Sequence, residues 1–201
     1  MQLWIGLGNP GPSHEGQRHN VGFMAVKAIA AGHGFAPWRR NRDFHGQISE
    51  GALDGNRIML LKPETYMNES GRAAAAAARF YKLAIDDVTA FHDELDLVPG
   101  KVRVKRGGGA AGHNGIRSLD AHIGNDFWRV RIGIGHPGHK DMVLRHALGD
   151  FAKDERAWLA PLLDAVAAAA PLLASRDARG FMTKVARLAP PPAPEEAADG
   201  L

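Results

Sequence analysis

The apolar run QLWI at residues 2–5 is stopped at once by GLGNPG, residues 6–11. A strand that ends in two glycines and a proline has to turn within a few residues, so the next segment of chain is delivered near the strand's carboxyl end. Spelled G-x-G-x-x-G, the segment has the lettering of a dinucleotide-binding turn. Such a turn opens straight into a helix whose N-terminus meets the pyrophosphate, and an acidic residue about 20 positions on holds the ribose. Here Pro10 and Pro12 flank Gly11, helical periodicity starts only near Asn20, and no carboxylate lies between Glu15 and Asp43. The dinucleotide reading fails on those missing parts. The glycines are expected instead to bring Asn9 and the Arg18-His19-Asn20 segment to one place.

Beyond the turn, hydrophobic periodicity alternates between the two regular types. NVGFMAVKAIAAGHG has helical spacing and a glycine stop. FHGQISEG and NRIMLLKP read as strands joined at Asp54-Gly55, a strong hairpin signal. ESGRAAAAAARFYKL predicts a helix with Asn68 as its N-cap, and DVTAFHDEL contains the next strand. KVRVKR and WRVRIGIG alternate apolar with basic residues, each predicting a strand with one buried and one cationic face, and IRSLDAHIG between them reads as a short helix. From Lys153 to Ala174 a helical pattern returns, which Pro161 and Pro171 should kink or bound, and ARGFMTKVARL reads as a last helix. The expectation is an α/β fold: a single-domain three-layer sandwich with a mixed twisted sheet flanked by helices, over residues 1–188. The Pro-, Ala- and acid-rich end, 189–201, has little to bury and is expected to be disordered. A chain of 201 residues suits one such core.

Composition removes several chemistries. With no cysteine there is no disulfide framework, thiol nucleophile or thiolate metal site. The longest apolar run, about 165–174, is short of a membrane span and interrupted by Pro171, and no secretory leader is visible. A cytoplasmic protein without membrane partners is the default expectation. No serine stands in G-x-S-x-G. HDELD (92–96) and HPGH (136–139) match no established metal-ligand spacing, and the glycine run GGGAAGHNG (107–115) lacks the Lys of a phosphate-binding loop. Spacing thus favours neither a metal site nor a phosphate-binding loop. Net charge is only +3, but the basic residues of 101–131 gather in one zone and suggest a polyanionic partner.

What remains is histidine acting on water. His19 stands just past the turn, at the start of a helix, whose N-terminus disfavours the imidazolium and favours a ring that accepts a proton. Such a base needs a carboxylate to fix its tautomer. Asp93, at the carboxyl end of the DVTAFHD strand, is the candidate, with His92 and Asp96 competing for the same roles.

Taken in order, GLGNPG, RHNVGF, KPETYMNESG, HDELD, GGGAAGHNG and RIGIGHPG resemble bacterial peptidyl-tRNA hydrolase from about Leu3 to Gly138, and more loosely to about Leu188. The resemblance implies cleavage of the ester between a peptide and the terminal ribose of tRNA, releasing stalled chains for reuse, with no metal or cofactor. It implies His19 as the base, Asp93 as the carboxylate that stabilises its working form, and Asn9 as the residue separating peptidyl-tRNA from free aminoacyl-tRNA. Asn68 and Asn114, which both also sit where helix caps belong, would hold the peptide and the tRNA end, with Tyr66, Met67 and His113 in the same binding set. Lys105 and Arg131, with Arg103 on the same alternating face, would meet tRNA phosphates of the acceptor arm. His14 replaces the family's usual Tyr beside the tRNA 3′ end, a smaller ring whose charge depends on pH. The expected protein is a monomer. The rival expectation is a non-catalytic RNA-binding relative acting in RNA processing, which would have no need of the full set Asn9, His19, Asn68, Asp93 and Asn114.

Overall fold

In the computed structural model, residues 1–193 are described; the rest of the tail expected to be disordered, 194–201, lies outside them. Seven strands form one sheet in the order β2-β3-β4-β1-β5-β7-β6. These are β1 (Gln2–Gly6), β2 (Arg39–Asn41), β3 (Gly46–Leu53), β4 (Asn56–Pro63), β5 (Val88–Glu94), β6 (Val102–Arg106) and β7 (Trp128–Gly133). The four central strands β4, β1, β5 and β7 run parallel, while β3 and β6 turn antiparallel against them. The β3–β4 hairpin turns at Asp54 and Gly55, both with positive φ (47° and 75°), as its Asp-Gly lettering requires.

Among the described residues six α-helices complete the layers: α1 (Val21–Gly32), α2 (Ser70–Phe80), α3 (Asn114–Ile123), α4 (Val143–Leu148), α5 (Glu155–Ala174) and α6 (Ala178–Leu188). Helices α1, α5 and α6 bury Trp4, Phe91, Val130 and Ile132 on one face of the sheet. Helices α2 and α3 bury Leu3, Ile5, Val88 and Ala90 on the other. Each Leu, Ile, Val or Phe among them taken fully from water contributes about 1.5–3 kcal/mol, so the two cores hold the sheet between its helical layers. The result is the three-layer sandwich the periodicity predicts.

Both prolines expected to kink or bound the long helix lie inside α5, so neither bounds it over its 20 residues. Proline deprives the carbonyl four residues back of its donor. For Pro171 that carbonyl is Ala167 O, and the His33 Nε2–H donates to it at 2.7 Å. Pro161 lies on the exposed side, where water can serve the freed carbonyl. Local sequence predicts a break; a histidine 134 positions away repairs it. The continuous helix is long and apolar enough to span a bilayer, but half of it is buried in the protein and it packs on α1 and α6.

Two caps also differ from expectation. Asn68 sits in a tight turn, Met67–Glu69, ahead of α2, whose N-cap is Glu69 with no side-chain bond. Asn114 is the first residue of α3, capped by His113 instead. At the far end, Ala189 is buried with α6 in the first core.

The opening glycines work mainly by close approach. Only Gly11 has positive φ (104°). A Cβ on Gly6 would meet Gly22 O at 2.5 Å, and one on Gly22 would meet Phe91 O at 2.2 Å and Leu7 N at 2.6 Å. Helix α1 therefore rests directly on the ends of β1 and β5. Gly22→Ala is expected to destabilise the protein by about 1–3 kcal/mol through overpacking; an unchanged urea midpoint would show that α1 can move away freely.

Candidate active site

Parallel strands end at one edge, and residues just beyond their carboxyl ends converge there. After β1 the chain stays attached to its neighbour, because the Leu7 N–H donates to Phe91 O of β5 at 3.0 Å. Asn9 follows two residues later and is bonded through its backbone to Asn20, the neighbour of His19. A turn at Arg18–Asn20 then feeds α1, carrying His19 to the same edge.

The His19 Nδ1 lies 2.9 and 3.0 Å from the two oxygens of Asp93. The carboxylate is acceptor-only, so Nδ1 carries the proton and donates it. Asp93 receives a second donor: His113 Nε2 lies 2.9 Å from Oδ1. The other His113 nitrogen, Nδ1, accepts from the backbone N–H groups of Gly115 (3.1 Å) and Ile116 (3.2 Å), which fixes the tautomer. One buried carboxylate is thus held by two imidazoles, their centroids 4.8 Å apart. Burial pushes the Asp93 carboxyl upward, but the His113 and His19 rings outweigh it and hold it well below the ordinary carboxylate range. For His19, burial pushes down while Asp93 pushes up through charge and hydrogen bond, and Asp93 wins. This corrects the expectation of a ring kept neutral by a helix end: its proton affinity is raised, by the partner.

Of the competing residues, His92 is fully buried and its Nδ1–H donates to Asp93 O at 2.8 Å. Burial first, then His113, lowers its pKa to about 3. It is a neutral wall behind His113, 4.9 Å ring to ring. Asp96 is exposed, and its backbone N–H donates to Glu94.

A hollow of ≈ 150 Å³ opens over this cluster, lined by His19, Asp93, Glu94, Asn114 and the apolar Leu95, Val143, Leu144 and Ala147. With Nδ1 engaged, His19 Nε2 is the ring nitrogen left for anything entering the hollow. His113, expected among substrate contacts, has both nitrogens occupied by the protein. Asn114 is exposed at the rim. Asn9 borders a neighbouring hollow of ≈ 140 Å³. Its Oδ1 accepts from Met67 N at 2.8 Å, so its NH₂ is what the side chain can offer. Met67 is buried, whereas Asn68 and Tyr66 are exposed above it. His14 stands apart on the outer turn, bonded to Gln17 at 3.1 Å.

The sequence reading missed Asn20. It is buried, accepts from Asn9 N and donates to Asn9 O, both at 2.9 Å, and so sets the orientation of Asn9. The only signal was its place in the Arg-His-Asn motif. Arg18 was missed too: it pairs with Glu155, donates to His146 O at 3.1 Å and packs over Phe151, tying the His19 turn to α4 and α5. Nothing in sequence joins residues 137 positions apart.

His19, Asp93 and His113 place three ligand-type atoms within 4.8 Å. Their nitrogens stand at hydrogen-bond distance from the carboxylate, closer than the roughly 3.3 Å that two ligands of one tetrahedral zinc would keep. Asp93 is hydrogen-bonded to both rings in this arrangement.

The cationic face exists, with a division of labour. Arg103 pairs across strands with Arg131, and Lys105 with Arg129. Arg103 is exposed, and Arg131 donates to Glu94 at 2.9 Å, which links this face to the hollow. Burial, then Arg131 and Arg129 beside it, lower the pKa of Lys105. Arg129 is different: it is 1% exposed and bonds Gly109 O, Asp120 and Asn125 O. It anchors the glycine loop and cannot reach a partner.

The profile of the peptidyl-tRNA hydrolase family matches residues 3–192. The chain is 61% identical over 189 residues to a peptidyl-tRNA hydrolase of Acidiphilium cryptum, covering 94% of this chain and 97% of that one. It is 60% identical over 190 residues to one of Gluconobacter oxydans, covering 94% and 100%. The crystal structure of peptidyl-tRNA hydrolase from Acinetobacter baumannii superposes with a TM-score of 0.88 at 38% identity, over 94% of this chain and 96% of that one.

The buried neutral His92 predicts an acid sensitivity. Between pH 6.5 and about 3 the unfolded chain protonates this ring and the folded protein does not. More protons on the unfolded state means stability falls as pH drops through that window. His19, with raised affinity, acts oppositely, its contribution being lost as pH rises through its folded value. His92→Gln is therefore expected to give a shallower loss of stability than wild type from about pH 6.5 to 4, read from urea midpoints; parallel curves would refute it.

Proposed function

The chain belongs to the peptidyl-tRNA hydrolase family and is a hydrolase of the peptidyl-tRNA ester; we propose that it works with His19 as general base, steadied by Asp93, on a water in the hollow. One observation carries this reading: Asp93 accepts the Nδ1 proton of His19 at 2.9 Å, which leaves Nε2 as an acceptor beside the open space. Nε2 takes a proton from water while the water oxygen attacks the ester carbonyl. Charge develops on the carbonyl oxygen and an amide NH₂ can meet it without adding net charge. As the intermediate collapses, the bond to the ribose oxygen breaks, and that oxygen recovers the proton from His19. The Asp93 charge stabilises the imidazolium in between.

The amides supply grip. The Asn9 NH₂, locked by Asn20 and Met67 N, is the rigid one, which fits a residue that tests whether the substrate's nitrogen is acylated. Asn68, Asn114 and Tyr66, all exposed at the edge, are the proposed contacts for peptide and tRNA 3′ end, with His14 on the outer turn. Met67 contributes by its backbone. Arg103, Lys105 and Arg131 are the proposed phosphate contacts of the acceptor arm; backbone charge is the same in every tRNA, so such contacts add affinity without choosing sequence. The reading includes a monomer acting in the cytoplasm during translation, needing water and no added cofactor.

His19→Ala is expected to lower turnover of N-blocked aminoacyl-tRNA by roughly 10²- to 10⁴-fold while tRNA binding stays near wild type. The assay is release of the acyl group with EDTA present; single-turnover rates near wild type would overturn the assignment. Lys105→Ala is expected to weaken tRNA binding and reduce the slope of log affinity against log salt by about 0.7–0.9. An unchanged slope would remove Lys105 from the phosphate surface.

A further inference from the structure

We infer that His113 is a positioning residue for the base: by occupying one oxygen of Asp93, it limits how tightly that carboxylate retains the proton of His19. The inference rests on the reading of His19 as base. Its geometry is that of a ring with no free end. Nε2–H is donated to Asp93 at 2.9 Å, and Nδ1 accepts two backbone N–H groups at the start of α3. His113 therefore has no nitrogen with which to bind substrate or move a proton. What it does have is a side chain only 8% exposed and a hydrogen bond into the same carboxylate oxygen that lies 3.0 Å from His19 Nδ1.

A buried carboxylate with a single imidazole partner would favour the imidazolium, and an imidazolium cannot accept a proton from water. A second donor stabilises the anion and draws off part of the charge felt by His19. A neutral imidazole achieves this without placing a full positive charge beside the ring that must become cationic during the reaction. Arg or Lys would hold Asp93 equally well but oppose that step.

The other charged or titratable groups around His19 are already committed. Glu94, on β5, is held by Arg131. Arg18 is paired with Glu155, the His146 ring bonds Ile134 O at 3.0 Å, and buried His92 lies behind His113. Asp93 is thus the carboxylate that sets the basicity of His19, and His113 is the second donor sharing it.

Two variants separate this role from the cap. His113→Asn keeps a short side-chain acceptor for the Gly115 N–H but falls short of Asp93. His113→Gln extends an NH₂ toward Asp93 and gives up the cap. The readouts are the acid limb of log kcat/KM against pH and the His19 ring titration by NMR. For His113→Asn both midpoints are expected to move up by about 0.5–1 unit, with the lost rate returning as pH is raised. For His113→Gln both should return to within about 0.2 unit of wild type. A purely structural role would lower the rate at every pH without moving the midpoint. Unmoved or lowered midpoints in His113→Asn overturn the inference and leave the base assignment standing; if that variant does not fold, a midpoint shifted in His113→Gln overturns it. An NMR midpoint that moves while the kinetic limb stays overturns the base assignment itself, and the inference with it.

Discussion

One buried negative charge organises this protein. Asp93 sits at the carboxyl end of a central strand whose residues are all buried, where an unpaired carboxylate would be strongly disfavoured. Two imidazoles compensate it, and they come from opposite layers: His19 from the turn leading into α1, His113 from the residue capping α3. The paired geometry therefore exists only when both helical layers are docked on the sheet. Fold and site are the same constraint seen at two scales.

The docking is short-range and rigid. Gly22 lets α1 touch the backbone of β1 and β5, so the His19 turn has little freedom along the strand axis. Arg18, one residue before His19, is fixed laterally by Glu155 and His146 O. Asn20, one residue after it, is fixed by reciprocal bonds to Asn9. Three consecutive residues each have an independent anchor, which is how a side chain 13% exposed keeps one orientation at the lip of an open hollow. Geometry held by packed neighbours is what the proposed role of His19 requires, since proton transfer falls off steeply with misplacement.

Much of this was legible from sequence because it depends on local signals. The Asp-Gly hairpin, the glycine stops, the alternating strands and the helical runs each carry their own periodicity, and together they define the layers. The glycine-proline turn was legible as a turn, though its glycines serve contact with α1 more than unusual φ. What was illegible depends on long-range satisfaction of polar groups. Pro171 looks like a breaker until His33 supplies the donor its carbonyl lost. Asn114 looks like a cap until His113, one residue earlier, takes the backbone N–H groups. The proton affinity of His19 obeys the same rule: the helix end named by the sequence is a weak field beside a carboxylate at 2.9 Å.

The two arginines of β7 show where pattern ends and environment begins. Arg129 and Arg131 share one side of the strand and one spacing, so alternation alone gives them one role. Arg131 lies beyond the cover of the glycine loop, pairs with Glu94 at the edge of the hollow and keeps contact with solvent. Arg129 lies under that loop, where its guanidinium bonds Gly109 O and Asn125 O and stacks on Phe127 at 4.6 Å. Burial of such a group is tolerated because most of its donors are met, Asp120 taking the charge at 3.0 Å. The loop it anchors is the one that ends in His113. Two arginines on one side of one strand thus differ in surroundings: Arg131 keeps solvent contact beside Glu94, and Arg129 is enclosed and holds the loop that leads to His113. Two residues along the strand, about 7 Å, are enough to take an arginine from solvent contact beside Glu94 to full enclosure under the loop.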